Sequence, residues 1–521
     1  MAISIDGLSL TLEQLERVSN GANATLADSA RPQIEESRAW IARLEQAGAN
    51  APSVYGINTG FGSLKSERFS VSDARRVSRN LIISNCCGTG DPFPERVVRA
   101  ATLLRANALA QGRSGARPVV IETLLELINR KVVPVVPSQG SLGASGDLAP
   151  LSHLAAVITR DPDVESDESS GEAWFGGECV SGAEAMRRAG IPRLILEAKE
   201  GLALNNGVQF MCALSCLTLL DAERLLKLHD VALAMHLDAA CGVRTAFDVR
   251  IANLRKYSGH RTVAQNVLNL LEGSTCADSD PTRIQDAYSL RCSPQIAGAV
   301  RDGLKHVRAG LEIEINSVTD NPLVFAADDQ VISGGNFHGD PVGLPVDYMK
   351  ILLTELGNLS ERRVSRLMDR HLNFGLPPYL ANKPGIESGM MMASYTAAAL
   401  ASENKVLAHP ASVDTIPTSE NQEDIVSMGT HGARQAAEIL KNVQKIIAIE
   451  LLCGAQALDM RKKKSPDLNF GQGSESARSF IRNHIKPLER DRYLADDIAK
   501  SLELVQSGEL LQAVEQTVPL T

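Results

Sequence analysis

Aromatic side chains are scarce in this chain: 11 Phe, 2 Trp and 7 Tyr among 521 residues, or 4%. A core with so few rings must be filled by Ala, Leu, Ile and Val. That favours packed helices over sheets, because Ala and Leu are strong helix formers while strands draw on β-branched and aromatic residues. Positive charge is also in deficit. The 53 Lys and Arg face 62 Asp and Glu, a net charge of −9, which excludes nucleic-acid binding through a global positive field. No uninterrupted apolar run approaches the roughly 20 residues that span a bilayer, so no membrane association is expected. The opening MAISIDGLSLTLEQLERVSN has no basic segment followed by an apolar one, and no secretory signal is expected. The nine cysteines, at 86, 87, 179, 212, 216, 241, 276, 292 and 453, lack CxxC spacing and mostly lie in apolar stretches. Reduced thiols in a cytoplasmic protein are the expectation. The ten histidines show no ligand spacing, and no metal is expected.

What is present is ordinary globular material: 44% apolar and 22% charged residues, which leaves no room for collagen-like, disordered or disulfide-scaffold classes. Leu12, Leu15 and Val18 follow helical spacing, and a helical pattern returns from about 72 to 132 until Pro134 and Pro137 forbid its continuation. The stretch DPDVESDESSGEAWFGGEC, acidic and then Gly-rich, reads as a surface excursion with a small hairpin. Residues 208 to 240 are mostly apolar, which predicts a helix buried on most faces. Leu352, Leu356, Leu359 and Leu367 form one amphipathic stripe, and Ala436, Ile439, Leu440, Val443, Ile446, Ile447 and Leu451 form a stronger one. The fold expected is mainly α, with long helices packed near-parallel. Along the chain it divides into an N-terminal region (1–200), a central helical bundle (201–464) and a C-terminal helical layer (465–521).

Two Gly-rich segments stand apart. SVYGINTGFGSLKS places Gly56, Gly60 and Gly62 within seven residues, a loop able to change conformation cheaply. It lacks the G-x-G-x-x-G order and the preceding strand of a nucleotide loop. The second, GSLGASGDLAP at 140–150, puts glycine on both sides of Ala144-Ser145. A strained loop there permits one covalent reaction. Attack of the Gly146 amide nitrogen on the Ala144 carbonyl carbon closes a five-membered ring, and loss of water there and from Ser145 leaves a 4-methylidene-imidazol-5-one. A side chain at 146 would obstruct that attack. The product is an electrophile that none of the twenty side chains provides.

With VYGINTGFG at 54–62, EGLALNNG at 200–207, QDAYSLRCSPQ at 285–295, SVTDNP at 317–322, GGNFHG at 334–339 and ENQEDIVSMGT at 420–430, in that order, the chain resembles the histidine and aromatic amino acid ammonia-lyases. The resemblance implies the helical fold of that family, a fumarase/aspartase-like central bundle. It also implies an autocatalytic electrophile from Ala144, Ser145 and Gly146, with no dissociable cofactor. Tyr55 is then the base that removes a barely acidic β-proton, and a phenol of ordinary pKa near 10 must be activated for that task. Loop closure beside the positive ends of helices is the expected source of activation. Tyr288 joins the catalytic set. Arg291 is suited to a bidentate grip on the substrate carboxylate. Asn206 and Gln285 resemble the amides that orient electrophile or carboxylate, and Phe337 the ring beside the electrophile.

Two positions bear on substrate choice. Glu423 matches the glutamate of histidine lyases, where tyrosine and phenylalanine lyases usually carry Gln, and a carboxylate suits an imidazole N–H better than a phenyl ring. Ser84-Asn85 matches the histidine group at Ser84, but Asn85 stands where His is typical. Asn can hydrogen-bond an imidazole yet carries no charge. The expectation is elimination of ammonia from L-histidine to give trans-urocanate. The alternatives are a 2,3-aminomutase, or a lyase acting on another aromatic or a modified imidazole amino acid. Retention of Tyr55, Ser145, Arg291 and Glu423 argues against a non-catalytic scaffold. The resemblance further implies a homotetramer whose sites draw residues from three subunits, with a small amino acid as the ligand.

Overall fold

The first helix shows how local chemistry sets the boundaries. Thr11 and Gln14 form a reciprocal capping box, Gln14 N donating to Thr11 Oγ1 at 3.2 Å and Thr11 N to Gln14 Oε1 at 3.0 Å, which satisfies two amides that a helix start leaves orphaned. The helix Leu12–Ser19 then buries Leu12, Leu15 and Val18 completely, as their spacing predicts. In the computed structural model, which describes residues 2–164 and 169–521, nineteen α-helices and nine strands of no more than four residues occur among the described residues. The mainly α expectation holds. No helix among them is long and apolar enough to cross a membrane, and they contain no group of three or more His, Cys, Asp or Glu placed to hold a metal ion.

The helical pattern from 72 to 132 resolves into three helices, Ala74–Ser84, Glu95–Ala110 and Pro118–Asn129. Pro94 and Pro118 stand at the starts of the second and third, where a missing N–H costs nothing. The predicted hairpin is present: Glu172–Phe175 pairs antiparallel with Glu178–Ser181 around Gly176-Gly177. Residues 165–168 of the acidic stretch before it lie outside the described residues. The apolar run 208–240 forms the 31-residue helix Gln209–Ala239. The two leucine and isoleucine stripes lie on the helices Asp340–Met368 and Gly429–Lys464, with every stripe residue buried. Each fully buried Leu or Ile contributes about 1.5–3 kcal/mol.

By contacts the chain forms two compact units, each assembled from three segments. One comprises residues up to Leu217, Arg308–Asp347 and Pro410–Arg434; the other comprises Thr218–Val307, Tyr348–His409 and Gln435–Thr521. In the first unit, helix Glu95–Ala110 is buried from Val97 onward. Its Arg99 donates to Val18 O and Ile128 O at 3.1 Å each, so a buried cation answers carbonyls near the C-terminal ends of two neighbouring helices. In the second unit, Arg363 of helix Asp340–Met368 pairs with Glu450 of helix Gly429–Lys464, Nη2 to Oε2 at 2.8 Å, with both side chains essentially inaccessible.

Candidate active site

The triplet Ala144-Ser145-Gly146 lies between pinned flanks in the first unit. Met428 N donates to Leu142 O at 3.2 Å, and Asp147 N donates to Gly207 O at 2.6 Å. Gly146 has φ of +76°, and a Cβ there would stand 2.1 Å from Gly207 O. Glycine is therefore demanded twice at 146, by the left-handed backbone and by the neighbouring strand of chain.

Asp147 is the centre of this arrangement. As the residue before helix Leu148–Ile158 it reads as that helix's cap, but its side chain makes no such bond. It turns instead to the start of helix Gln209–Ala239, where Oδ2 accepts from Phe210 N and Met211 N at 2.9 Å each. Oδ1 accepts from Ser141 Oγ at 2.8 Å and from Thr430 Oγ1. Burial pushes its carboxyl above the ordinary value, opposed by these four bonds. A carboxylate at a helix N-terminus also gains from the macrodipole.

Asn206 follows the short helix Glu200–Asn205, and its Nδ2 donates to Ser145 O at 3.1 Å. Its Oδ1 is buried with no partner among the described residues. Behind it, Arg105 Nη1 donates to Asn206 O at 2.5 Å. Burial lowers the Arg105 guanidinium to about 10, with Asp320 opposing. Asp320 in turn holds Lys199, Oδ2 to Nζ at 2.6 Å, both side chains inaccessible. Breaking one partner of such a buried pair costs about 3–5 kcal/mol, so this network fixes the backbone beneath the triplet.

The triplet opens on a cavity of about 790 Å³ whose walls include Tyr55, Asn85, Ala144, Ser145, Asn206, Phe337 and Glu423. These residues come from segments up to 368 positions apart in the chain, Tyr55 to Glu423. Ser145 Oγ donates to Glu423 Oε1 at 3.3 Å, while Glu423 Oε2 accepts from Thr418 Oγ1 at 2.9 Å. Tyr55 accepts from Gly62 N at 3.1 Å through its hydroxyl. Burial raises the Tyr55 pKa, and the charges of Glu423 and Asp320 add to that; the Gly62 N–H alone opposes it. The direction is opposite to the activation expected of a base.

Not every expected residue is here. Ser84 is exposed at the end of helix Ala74–Ser84, its hydroxyl 3.3 Å from Leu81 O, and it does not line the cavity. Gln285, Tyr288 and Arg291 belong to the second unit and do not line it either. Tyr288 is 68% exposed and Ile284 beside it 92%, while Arg291 Nε donates to Asp286 O at 2.8 Å. Conversely, Lys65 and His338 line the cavity without having been singled out. His338 sits within hydrogen-bonding distance of Ile425 O, 3.3 Å, and its motif GGNFHG was the available signal. Asp147 had one too, standing directly after the triplet.

Comparison with known proteins agrees with this geometry. The model of the aromatic amino acid lyase family matches residues 10–483. Over 516 residues, 99% of this chain and 98% of the relative, the sequence is 48% identical to a histidine ammonia-lyase of Caldanaerobacter subterraneus subsp. tengcongensis. Among solved structures, a histidine ammonia-lyase from Trypanosoma cruzi superimposes with a TM-score of 0.89 at 37% identity, covering 100% of this chain and 96% of that one. A tyrosine aminomutase from Streptomyces globisporus does so with a TM-score of 0.91 at 34% identity, each chain covered fully. A loop that demands glycine beside a buried carboxylate, on a full-length match of this kind, makes the chain a member of the aromatic amino acid lyase family and a carbon–nitrogen ammonia-lyase.

Proposed function

We propose that the chain eliminates ammonia from L-histidine to give trans-urocanate, with Tyr55 as the β-proton base and a 4-methylidene-imidazol-5-one built from Ala144, Ser145 and Gly146. One observation carries the reading. Ser145, Tyr55 and Glu423 share one cavity, and the donor to Glu423 Oε1 is the very hydroxyl that dehydration of Ser145 removes. Ring formation then leaves a carboxylate oxygen in need of an N–H, which an imidazole supplies and a phenyl ring does not.

The residues present fit the modified group. Gly146 has the left-handed backbone and no Cβ to strike Gly207 O, Leu142 and Asp147 are pinned on either side, and Asn206 keeps an unpartnered acceptor beside Ser145. Once formed, the group supplies an electrophile to the substrate amine and eases its departure. Asn206 holds the Ser145 carbonyl. Glu423 and Asn85 recognise the imidazole ring, Phe337 packs beside the triplet, and Tyr55 takes the β-proton. Because burial, Glu423 and Asp320 all raise the phenol, its activation calls for positive charge beyond that of Lys65, which lines the cavity.

Arg291 is the residue to supply it, with Gln285 and Tyr288 from the same motif as neutral partners. We assign them to a neighbouring copy within a homotetramer whose sites draw on three subunits. The exposure of Ile284 and Tyr288 in the single chain supports this, since apolar surface in that segment calls for a partner. The three-part division at 200 and 464 is likewise a proposal, for the order of regions along the chain. A reducing cytoplasmic setting is supported by nine free thiols.

Mixing the purified protein with L-histidine should generate urocanate absorbance, and no product at any histidine concentration sinks the assignment. Mass spectrometry of the product separates the aminomutase alternative, because a rearranged amino acid keeps the substrate's mass. A second reading rests on Asn85. Its Nδ2 donates to Leu81 O at 2.7 Å, capping its own helix, which leaves the Oδ1 acceptor for a ligand. With Glu423 the cavity then offers acceptors to a ring bearing two N–H donors, such as an imidazolium or a 2-oxo- or 2-thio-imidazole amino acid. Comparing kcat/KM for histidine and 2-thiohistidine decides between the two.

A further inference from the structure

We infer that Cys241 and Cys276 are a dithiol modification site, closed to a disulfide by hydroperoxides, and that closure disturbs the segment carrying Gln285 and Arg291. The pair lies in the second unit, outside the catalytic cavity. The two Sγ atoms are 3.8 Å apart, so a modest rotation of the side chains brings them to the disulfide distance of about 2.0 Å. Their environments are unequal in the way a two-step oxidation requires. Cys241, just past the end of helix Gln209–Ala239, is partly accessible, whereas Cys276 is fully buried and donates from Sγ to Asp238 O at 2.9 Å.

The chemistry follows from that inequality. The Cys276 S–H, shared between Asp238 O and the Cys241 sulfur, holds the Cys241 thiol below its ordinary range against the opposing effect of burial, with Ser279, Arg461 and Arg283 contributing. As the sulfur that a peroxide can reach, with Cys276 buried behind it, Cys241 is the nucleophile of the pair. Its thiolate attacks a peroxide oxygen, forming an S–O bond as the O–O bond breaks, and the hydroperoxide leaves as an alcohol after taking a proton. Cys276 sulfur then attacks the sulfenic acid, the S–S bond forms, and hydroxide leaves with the Cys276 proton as water. Two thiols are oxidised by two electrons and one hydroperoxide is reduced to alcohol and water.

Cys241 is wired to the segment that follows Cys276. Arg283 Nη1 donates to Cys241 O at 2.8 Å and pairs with Asp286. Asp278 N donates to Gly242 O at 2.9 Å, and Val243 N donates to Asp286 Oδ2 at 2.8 Å. Asp286 O in turn accepts from Arg291 Nε at 2.8 Å. Drawing the two sulfurs together displaces one anchor of this lattice, and with it the carboxylate-gripping fork. This last step rests on the role proposed above for Arg291; the disulfide itself does not.

The test treats the full-length reduced protein with a small excess of hydrogen peroxide and maps its tryptic peptides without substrate. A linked peptide joining Cys241 to Cys276, lighter by two hydrogens, is expected in the wild type. In Cys276→Ser the reaction stops at a sulfenic acid on Cys241. The buried pair Cys212 and Cys216, whose sulfurs are 3.9 Å apart, serves as an internal control and stays reduced. Absence of the 241–276 link, or linkage of the control pair in its place, overturns the site. In the same samples KM for histidine should rise about tenfold, as expected of a misplaced substrate-positioning group, and dithiothreitol should restore it. Cys241→Ser should keep its KM through peroxide treatment. A quantitative link with unchanged KM overturns the coupling. Failure of the fully reduced enzyme to make urocanate bears only on the proposed function, since the peptide map needs no turnover.

Discussion

Two loops of the first unit meet at the cavity beside Ser145, and they are held in opposite ways. Residues 140–147 are bonded to distant parts of the chain: Asp147 to Phe210, Met211 and Thr430, its backbone to Gly207, and Leu142 to Met428. The loop at 51–70 is bonded mainly to itself. Asn58 Oδ1 accepts from Val54 N at 2.7 Å, Asn58 Nδ2 donates to Pro52 O at 2.8 Å, Gly60 N to Glu67 O at 2.8 Å, and Arg68 Nη2 to Ala51 O at 2.9 Å. Its reach outward includes Ser63 N to Ser419 Oγ at 3.0 Å. Under the proposed function, the loop that cyclises needs its backbone held before the reaction. A loop that must admit substrate and then present a base has to move as one piece, which internal bonding allows. The difference matches the two proposed jobs: one loop held to stay and the other free to close.

The largest effects separate the jobs most cleanly. Ser145→Ala should lower kcat by about four orders of magnitude, near the upper range for loss of an activated catalytic group, and should abolish an intact-mass deficit of two waters. Tyr55→Phe should lower kcat by about 10²–10⁴-fold, the range for general acid–base catalysis, yet keep the mass deficit in full. If Tyr55→Phe also lost the deficit, or kept full turnover, the two loops would not divide the work as argued. Asp147→Asn comes next. It keeps the shape but leaves buried donors facing an amide, so a loss of about 1–3 kcal/mol is expected, read as a lower Tm together with slower appearance of the mass deficit. A variant with wild-type Tm and deficit would show that the 140–147 loop does not need its carboxylate.

The same comparison explains what was legible in the sequence. The helical fold was readable because burial imposes a period: Leu12, Leu15 and Val18, and Ile439 to Leu451, fall on the buried faces of real helices. Ala144, Ser145 and Gly146 stand out in the sequence because the glycines around them mark a loop of special backbone. The anchors were not. Asp147 looks like a cap for the helix it precedes and caps another one more than 60 residues away, a tertiary choice no local pattern records. Lys199 and Asp320 are 121 positions apart and signal nothing until they meet. Gln285, Tyr288 and Arg291 show the reverse case: their motif is plain, but they do not line the cavity.

Glu423 tests how the movable loop is tuned. Burial raises the Tyr55 pKa, and Glu423 raises it further by its charge. A base acts in its deprotonated form, so kcat climbs with pH toward that raised value. Glu423→Gln removes one negative charge, lowers the phenol pKa and should move the ascending limb of kcat to lower pH, while KM for histidine rises because the ring loses a charged acceptor. An unmoved limb with a raised KM would restrict Glu423 to recognition and leave the base elsewhere or differently tuned.

The smallest effect probes the outward tie of the Tyr55 loop. Ser419→Ala removes the acceptor for Ser63 N, a bond worth about 0.5–1.5 kcal/mol. Because the loop's other bonds are largely internal, its fold should survive and only its docking should weaken, lowering kcat/KM by a few-fold, about 2–10 for that energy. Lys65 and Arg68 lie exposed near the tip, so brief trypsin treatment reads the same change directly: nicking at these two residues should quicken in Ser419→Ala, and substrate should slow it again. The matched substitution at an anchor of the fixed loop, Asn206→Ala, removes the donor to Ser145 O and should leave nicking at 65 and 68 unchanged while depressing kcat. Faster nicking in both variants would mean that the two loops move together, and the division between a loop that stays and a loop that closes would fail.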